Sequence, residues 1–380
     1  MKILPHGNVT SAPGFKANGL AAGIKKSGKL DLSLISCDES CVAAGVYTKN
    51  SIKAAPLLVC QQHLKKHHAR AIVINSGNAN CFTGHFGLVY AQKTAELIAK
   101  LLKIETKDVL VASTGIIGKP LPFEKIKAAA PALVAGLSAQ KGHEAALGIL
   151  TTDKVTKEIA VQIKLGGKIA TIGGCAKGSG MIQPDMATML AFITTDAAID
   201  KAMLKSALAI AVDRSFNCIT VDGCMSTNDI AAVLANGRAG NKTVTKEGDD
   251  FKTFTKALTF VCLDLAKKIV LDGEGATKFI EIEVNGAKTY TQAKKAALAV
   301  ANSNLFKTAA YGSNPNWGRV AGAVGSLGLP VTEKNLKIKF DSFANKNIHI
   351  TVDLNIGKHS AVVYTCDLSP EYVDINGRYN

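Results

Sequence analysis

The most constraining feature of the sequence is one segment, residues 177–195, in which a glycine-rich loop leads directly into a run of β-forming residues. The segment reads KGSGMIQPDMATMLAFITT. Its glycines and its Pro-Asp pair predict a loop and a turn, and the run that begins at Thr188 predicts a buried strand. Cleavage of the Ala187–Thr188 bond would give Thr188 a free α-amine beside its hydroxyl, and that pair is a nucleophile with its own base.

Two earlier strands predicted from the sequence also end in small polar residues. Residues 71–75 (AIVIN) lead into SGNAN, and residues 108–112 (DVLVA) lead into Ser113-Thr114-Gly115. Backbone N–H groups at Thr114 and Gly115 are candidates for oxyanion donors. Such residues also form ordinary turns and helix caps, and on the residues alone the turn is the favoured interpretation.

Helical and strand patterns are mixed along the chain without strict βαβ alternation, which favours an α+β layered fold. Residues 86–102 have the apolar spacing of an amphipathic helix, and residues 249–271 predict a long one. The last 45 or so residues turn to β patterns, including a strand predicted over residues 372–375. Residues 236–242 (NGRAGNK) are the best candidate for a domain junction.

Composition argues against a nucleic-acid-binding protein although the net charge is +15. Only five of the basic residues are arginines, and aromatic residues make up 6%. Nucleic-acid readers concentrate arginine and interleave aromatic side chains, so the lysines are interpreted as solvated faces. Nine cysteines without a C-x-x-C pair, no signal-peptide pattern and no membrane span indicate reduced thiols in a cytoplasmic protein.

Several other segments resemble functional motifs but lack residues that those motifs require. Residues 173–180 (GGCAKGSG) lack the G-K-[ST] order of a phosphate-binding loop. Ser179 is not framed as G-x-S-x-G, which excludes a hydrolase nucleophile elbow. His63 and His67 stand four residues apart in a lysine-rich segment without a supporting carboxylate or cysteine, so no metal site is predicted.

Taken together, the motifs resemble the ornithine acetyltransferase family of arginine biosynthesis, the bifunctional glutamate N-acetyltransferases also called ArgJ. KGSGMIQPDMATMLAFITTDA is similar to the autoprocessing segment of that family. The resemblance covers nearly the whole chain, because further segments match in the same order: GFKANGLAAGIK, GVYTKN, NSGNANCFTG, ASTGIIGKPLP, TTDKVTKE, SFNCITVDG, STND, NPNWGR and YVDING.

The resemblance implies a role for each residue that occupies a family motif. Thr188 is implied as nucleophile and processing site, with cleavage after Ala187. Thr114 and Gly115 are implied as the oxyanion hole. The implied substrate-binding residues are Thr151, Lys177, Thr188, Glu274 and Asn376. No metal ligand is implied.

The resemblance also implies an architecture, a layered α/β/β/α-type sandwich of the self-processing ArgJ/DmpA-like kind with a smaller α/β C-terminal domain. Autocleavage would leave an α-chain of residues 1–187 and a β-chain of residues 188–380. Within the β-chain, residues 188–238 would complete the catalytic core and residues 239–380 would form the C-terminal α/β region. Two copies of each chain are expected to assemble into a heterotetramer.

The implied activity is transfer of an acetyl group from N2-acetylornithine to glutamate by a ping-pong mechanism through acetyl-Thr188. No cofactor is expected, and acetyl-CoA is a candidate second donor. One alternative is a self-processing amidase or aminopeptidase with an amino-terminal nucleophile, which would hydrolyse the acyl-enzyme. A more distant alternative, motivated by charge alone, is a basic nucleic-acid-binding protein.

Overall fold

A computed structural model describes residues 1–66, 68–183 and 189–378, and the chain divides into two compact units. Unit 1 comprises residues 1–178, 185–217 and 225–265, and unit 2 comprises residues 179–184, 218–224 and 266–380. The predicted junction at residues 236–242 therefore lies within unit 1. The cleavage point predicted between the α- and β-chains falls among residues 184–188, outside the described residues.

Apart from the short, exposed β1, the strands of unit 1 are mostly buried along their length. They are β1 (Lys2–Ile3), β2 (Phe15–Leu20), β3 (Leu32–Tyr47), β4 (His68–Asn78), β5 (Val109–Ile116), β6 (Lys157–Leu165), β7 (Lys168–Lys177), β8 (Leu190–Thr195) and β9 (Ile230–Ala235). They form one mixed sheet in the order β1-β6-β7-β8-β9-β3-β4-β5, with β2 paired to β3.

Strand β3 connects two parts of this sheet. Residues 32–36 pair with both β2 and β4, whereas residues 42–47 pair with β9. Most neighbours are antiparallel, but β4 with β5 and β8 with β9 are parallel. Parallel neighbours finish at the same edge of a sheet. The polar residues that end β4 and β5 therefore lie side by side.

The helices of unit 1 are α1 (Ala55–His63), α2 (Gly84–Leu102), α3 (Phe123–Ala135), α4 (Gly142–Gly148), α5 (Lys201–Asp213) and α6 (Asp249–Leu271), of which α6 continues past residue 265 into unit 2. Helix α2 buries Ala91, Ala95 and Ile98, at four- and three-residue spacing. These side chains belong to one apolar core with the interiors of β3, β4 and β5. The amphipathic helix predicted over residues 86–102 is confirmed.

Unit 2 has a smaller sheet with its own core. Its elements are β10 (Phe279–Ala287), α7 (Tyr290–Ala301), α8 (Asn304–Tyr311), α9 (Trp317–Gly325), β11 (Lys337–Phe340), β12 (Asn347–Asp353), β13 (His359–Cys366) and α10 (Pro370–Gly377). The strand order is β11-β12-β10-β13. Alternate residues of β10, Ile280, Ile282 and Val284, are buried in one core with side chains of α7, as the period of a strand requires.

The strand predicted over residues 372–375 is wrong, because these residues lie within α10. Ser369 occupies the N-cap position of this helix and Pro370 follows it at the first turn. Proline suits that position because its fixed φ is helical and its missing N–H would have had no partner there. Four residues are too few for the apolar period to distinguish a strand from a short helix.

Helices and strands are mixed in both units, which confirms the predicted α+β class. Within the ranges that the structure describes, no helix has both the length and the apolar character needed to cross a membrane.

A helix cap in unit 1 gives a first testable prediction. Asp200 Oδ1 accepts a hydrogen bond of 2.8 Å from the backbone N–H of Met203 at the start of α5. Asp200→Ala removes this bond, and we expect the free energy of unfolding to fall by about 1 kcal/mol, measured by urea titration. Asp249→Ala is the matched control, because this fully exposed carboxylate at the start of α6 only approaches Lys252, at 4.0 Å, and its loss should leave stability nearly unchanged. Equal losses in both variants would contradict the assignment.

Candidate active site

The ends of β4 and β5 place two of the predicted site residues at one edge of the sheet. Ser76 is opposite Thr114 and Gly77 is opposite Gly115 in the parallel register. Gly115 has φ +132°, and a Cβ added there would lie 2.4 Å from the carbonyl carbon of Gly77. Only glycine fits, because the backbones approach too closely for a side chain and the φ value is rarely adopted by other residues.

The polar turns that follow these strands are fixed by buried amide side chains. Asn228 Nδ2 donates to the carbonyl oxygens of Ser113, at 2.8 Å, and Ala79, at 2.6 Å. Ser113 Oγ donates to Asn75 Oδ1 at 2.6 Å. The position of the Thr114-Gly115 backbone is thus set by neighbours on β4 and on the segment before β9. A preorganised backbone of this kind is what an oxyanion site needs.

Lys177, the last residue of β7, brings two further predicted residues together. Its Nζ lies 2.8 Å from Thr151 Oγ1 and 3.4 Å from Thr114 Oγ1. The side chain is largely buried, with 9% of its surface exposed. Lys177 is also paired across the sheet with Leu190 at the start of β8. Three residues from distant parts of unit 1 therefore form one cluster, which we call the Lys177 cluster (Thr114, Thr151, Lys177).

A buried carboxylate, Asp153, holds the Lys177 cluster from behind. Asp153 Oδ1 accepts hydrogen bonds from Lys157 Nζ, at 2.6 Å, and from the N–H of Gly178, at 2.8 Å. Its Oδ2 accepts the N–H of Thr151 at 3.0 Å and lies 3.9 Å from Lys177 Nζ. Burial alone would raise the pKa of Asp153, but Lys177, Lys157 and these hydrogen bonds outweigh burial and hold it well below its usual range. Asp153 is therefore ionised throughout the physiological range.

Two more ionisable side chains of unit 1 act on this cluster. Burial lowers the pKa of Lys25 to about 8, although Asp31 and Asp153 attract its charge. Burial raises the pKa of Asp229 well above its usual range, and the ammonium of Lys177 offsets this only in part. Among the described residues, no hydrogen-bond partner is within reach of Asp229 Oδ2. The ammonium groups of Lys177 and Lys157 both lie within 4 Å of Asp153, so a cation is available at this cluster for an anionic ligand.

The remaining two predicted residues meet in unit 2. Asn376 Nδ2, on α10, donates to Glu274 Oε2 at 2.7 Å, and Glu274 is almost fully buried. The backbone N–H of Glu274 donates to the carbonyl oxygen of Ser179 at 2.9 Å. A Cβ on Gly180 would lie 2.2 Å from Glu274 Oε2, so the glycine-rich loop leaves room for this carboxylate.

The structure thus groups the predicted residues in two sets, one in each unit. Thr114, Thr151 and Lys177 form the cluster of unit 1, with Gly115 beside Thr114. Glu274 and Asn376 form a pair in unit 2. Ala187 and Thr188, like His67, lie outside the described residues.

Sequence reasoning missed the residues that hold these side chains in place. Asp153 stands in the TTD segment that predicted Thr151, so an aspartate two residues after a predicted contact was a usable signal. Lys157 gave no signal, since a lysine at the start of a predicted strand is normally solvated. Asn228 and Asp229 close the STND segment, and the contacts of Asn228 join parts of the chain more than 100 residues apart.

The described residues offer no obvious metal centre. No group of three or more His, Cys, Asp or Glu side chains among them is arranged to hold a metal ion. None of the cysteines, all of which lie in the described ranges, is in a disulfide, and only Cys224 is exposed.

Comparison with known proteins identifies relatives along the whole chain. The model of the ArgJ family matches residues 16–380. The arginine biosynthesis bifunctional protein ArgJ of Symbiobacterium thermophilum is 45% identical, with 98% of each chain covered. Its counterpart in Geobacter sulfurreducens is 46% identical, covering 96% of this chain and 98% of its own.

Solved structures are also similar to parts of the chain. The ornithine acetyltransferase of Mycobacterium tuberculosis, solved in complex with ornithine, is 40% identical over 49% of this chain and 99% of its own, with a TM-score of 0.45. The match to the family model over nearly all residues, together with relatives of this identity and coverage, shows that the chain belongs to the ArgJ family.

Proposed function

We propose that this protein is a glutamate N-acetyltransferase of the ornithine acetyltransferase type, acting in arginine biosynthesis. The observation that carries the proposal is the Lys177 cluster, in which a buried ammonium lies within 3.4 Å of hydroxyls on two separate segments. Full-length similarity to proteins named arginine biosynthesis bifunctional protein ArgJ supports the same activity. The cluster supplies a cation for an amino-acid carboxylate beside a strand end suited to an oxyanion.

The proposed reaction begins with cleavage of the chain at Ala187–Thr188. The Thr188 hydroxyl attacks the carbonyl carbon of Ala187, the C–N bond breaks, and the acyl group moves from nitrogen to oxygen as an ester. Water then hydrolyses the ester, which releases the Ala187 carboxylate and restores the hydroxyl. Thr188 is left with a free α-amine.

In the second stage, the α-amine of Thr188 is the base for its own hydroxyl. Its reference pKa is about 7.7–8.0, so an appreciable fraction is neutral near pH 7.5. The hydroxyl proton passes to the amine as Oγ bonds to the acetyl carbon of N2-acetylornithine. The amide C–N bond then breaks, and the departing amine of ornithine takes the proton. The amine of glutamate attacks the acetyl ester in the reverse sequence and restores Thr188.

The other residues have separate proposed roles. Thr114 and Gly115 stabilise the oxyanion of each tetrahedral intermediate. Lys177 and Thr151 bind the substrate α-carboxylate, which suits the ammonium and hydroxyl that they bring together at 2.8 Å. Glu274 faces the δ-ammonium of the ornithine moiety, and Asn376 fixes the Glu274 carboxylate by the 2.7 Å hydrogen bond between them.

The proposed chemistry needs no cofactor, because Thr188 supplies both nucleophile and base. Acetyl-CoA is proposed as a second acetyl donor, in keeping with the word bifunctional in the names of the relatives. The cleaved α- and β-chains, residues 1–187 and 188–380, are proposed to assemble as a heterotetramer of two copies each in the cytoplasm.

Acetyl transfer is the direct test of the function. With N2-acetylornithine and glutamate, purified protein should form ornithine and N-acetylglutamate in equal amounts, measured by mass spectrometry. The first half-reaction should occur alone, as acetyl exchange from N2-acetylornithine to labelled ornithine without glutamate. Release of acetate in place of N-acetylglutamate would overturn the proposal in favour of an amidase.

Self-cleavage has its own test at Thr188. On a denaturing gel, the wild type should give two fragments of about half length, and Thr188→Ala should give one full-length band without transfer activity, because the attacking hydroxyl is lost. Thr188→Ser is the control, since it keeps a hydroxyl and should still be cut. An uncut wild type with full activity would contradict the processing scheme.

Gly115→Ala tests the oxyanion position. The added Cβ would meet the backbone of Gly77, so the peptide at this strand end must shift. We expect kcat for acetyl transfer to fall about 10²- to 10³-fold, as for loss of an oxyanion donor. Gly118→Ala is the control, because Gly118 also has a positive φ but no atom within 4 Å of its Cβ position. Equal kcat values for the two variants would exclude the assigned role.

A further inference from the structure

Lys177 and Lys157 share one buried carboxylate unequally. Lys157 Nζ lies 2.6 Å from Asp153 Oδ1, a short charge-assisted hydrogen bond. Lys177 Nζ lies 3.9 Å from Asp153 Oδ2, beyond hydrogen-bond distance, and is closer to the hydroxyl of Thr151. The side chains of Lys157 and Asp153 have no exposed surface, so bulk water does not reach either charge.

We propose that Lys157 is a positioning residue that neutralises Asp153, so that the charge of Lys177 stays directed at the substrate carboxylate. The inference rests on the proposed function, in which Lys177 binds that carboxylate, and it adds a residue that touches no substrate. The pair with Asp153 also accounts for the burial of Lys157, because lysines are rarely buried without a partner for their charge.

The physical reason is the cost of an uncompensated buried charge. Without Lys157, the ammonium of Lys177 still lies 3.9 Å from Asp153, and a buried carboxylate attracts it strongly. A shift of about 1 Å would bring the Lys177 ammonium into hydrogen-bond distance of Asp153 Oδ2. The ammonium would then be committed to Asp153, and its attraction for a second carboxylate would be largely cancelled.

A substrate analogue separates this role from a merely structural one. N-acetylputrescine is N2-acetylornithine without its α-carboxylate, and it keeps the acetamide and the distant ammonium. The ratio of kcat/KM for the two donors therefore reports the contribution of the carboxylate contact. Damage to the fold or to the nucleophile lowers both values together and leaves the ratio unchanged.

The test compares this ratio in the wild type and in Lys157→Met. The variant should lower the preference for N2-acetylornithine about tenfold or more, the size expected for weakening a charge-assisted hydrogen bond. The change should appear mainly in KM for N2-acetylornithine. Lys164→Met is the matched control on the same strand, because Lys164 is exposed and its variant should keep the wild-type ratio.

A double variant gives a second, independent test of the role of Lys157. Asp153→Asn with Lys157→Met removes both charges of the pair, so no buried carboxylate remains to capture Lys177. Its ratio should return to within about threefold of wild type, since replacing both partners avoids the unpaired charge. This test also decides the question if Lys157→Met alone does not fold. If Lys157 has only a structural role, the double variant should show no greater preference for N2-acetylornithine than Lys157→Met.

The outcomes distinguish the two proposals. A wild type that transfers no acetyl group refutes the proposed function itself. An active wild type whose ratio is unchanged in Lys157→Met refutes only the role of Lys157. A ratio near one in the double variant also overturns that role, because Lys177 would then need the pair rather than be shielded by it.

Discussion

The Asp153 carboxylate is the interaction on which the candidate active site of unit 1 depends. It links the loop after α4, the start of β6 and the end of β7 by accepting bonds from Thr151, Lys157 and Gly178. Breaking a buried ion pair costs about 3–5 kcal/mol, whereas replacing both partners with apolar residues is often neutral. The pair is therefore better explained by the position that Asp153 gives Thr151, and by the Lys177 charge that Lys157 leaves available, than by stability.

Sheet topology brings the other parts of this site together. The parallel pair β4 and β5 ends with Gly77 opposite Gly115, so the two polar turns share one edge. Strand β8 begins opposite Lys177, at Leu190, which lies two residues after Thr188 in sequence. In the proposed enzyme, the first strand after the processing site therefore pairs with the residue that would bind the substrate carboxylate.

In unit 2, the lack of a side chain at two glycines matters as much as the Glu274 carboxylate. Glu274 packs where a Cβ on Gly180 would clash, and a Cβ on Gly275 would lie 2.5 Å from the backbone nitrogen of Tyr372 on α10. The two glycines thereby allow the loop and the helix to approach Glu274 and Asn376. The strand prediction over residues 372–375 failed at this same place, because the helix start at Ser369-Pro370 outweighed a short alternating pattern.

The sequence by itself determined the class of the fold, several strand ends with their polar turns, and, through resemblance, every candidate residue of the reaction. These features are local, because apolar period and turn residues act over a few positions and a family motif is read along the chain. Only the tertiary structure decided that Lys177 meets Thr114 and Thr151, that Asn376 meets Glu274 across 102 residues, and that Lys157 is buried against Asp153. The role of a lysine depends on whether its ammonium is in water or is paired with a buried carboxylate. The fold decides which of the two it is, because the partner can be far away in sequence.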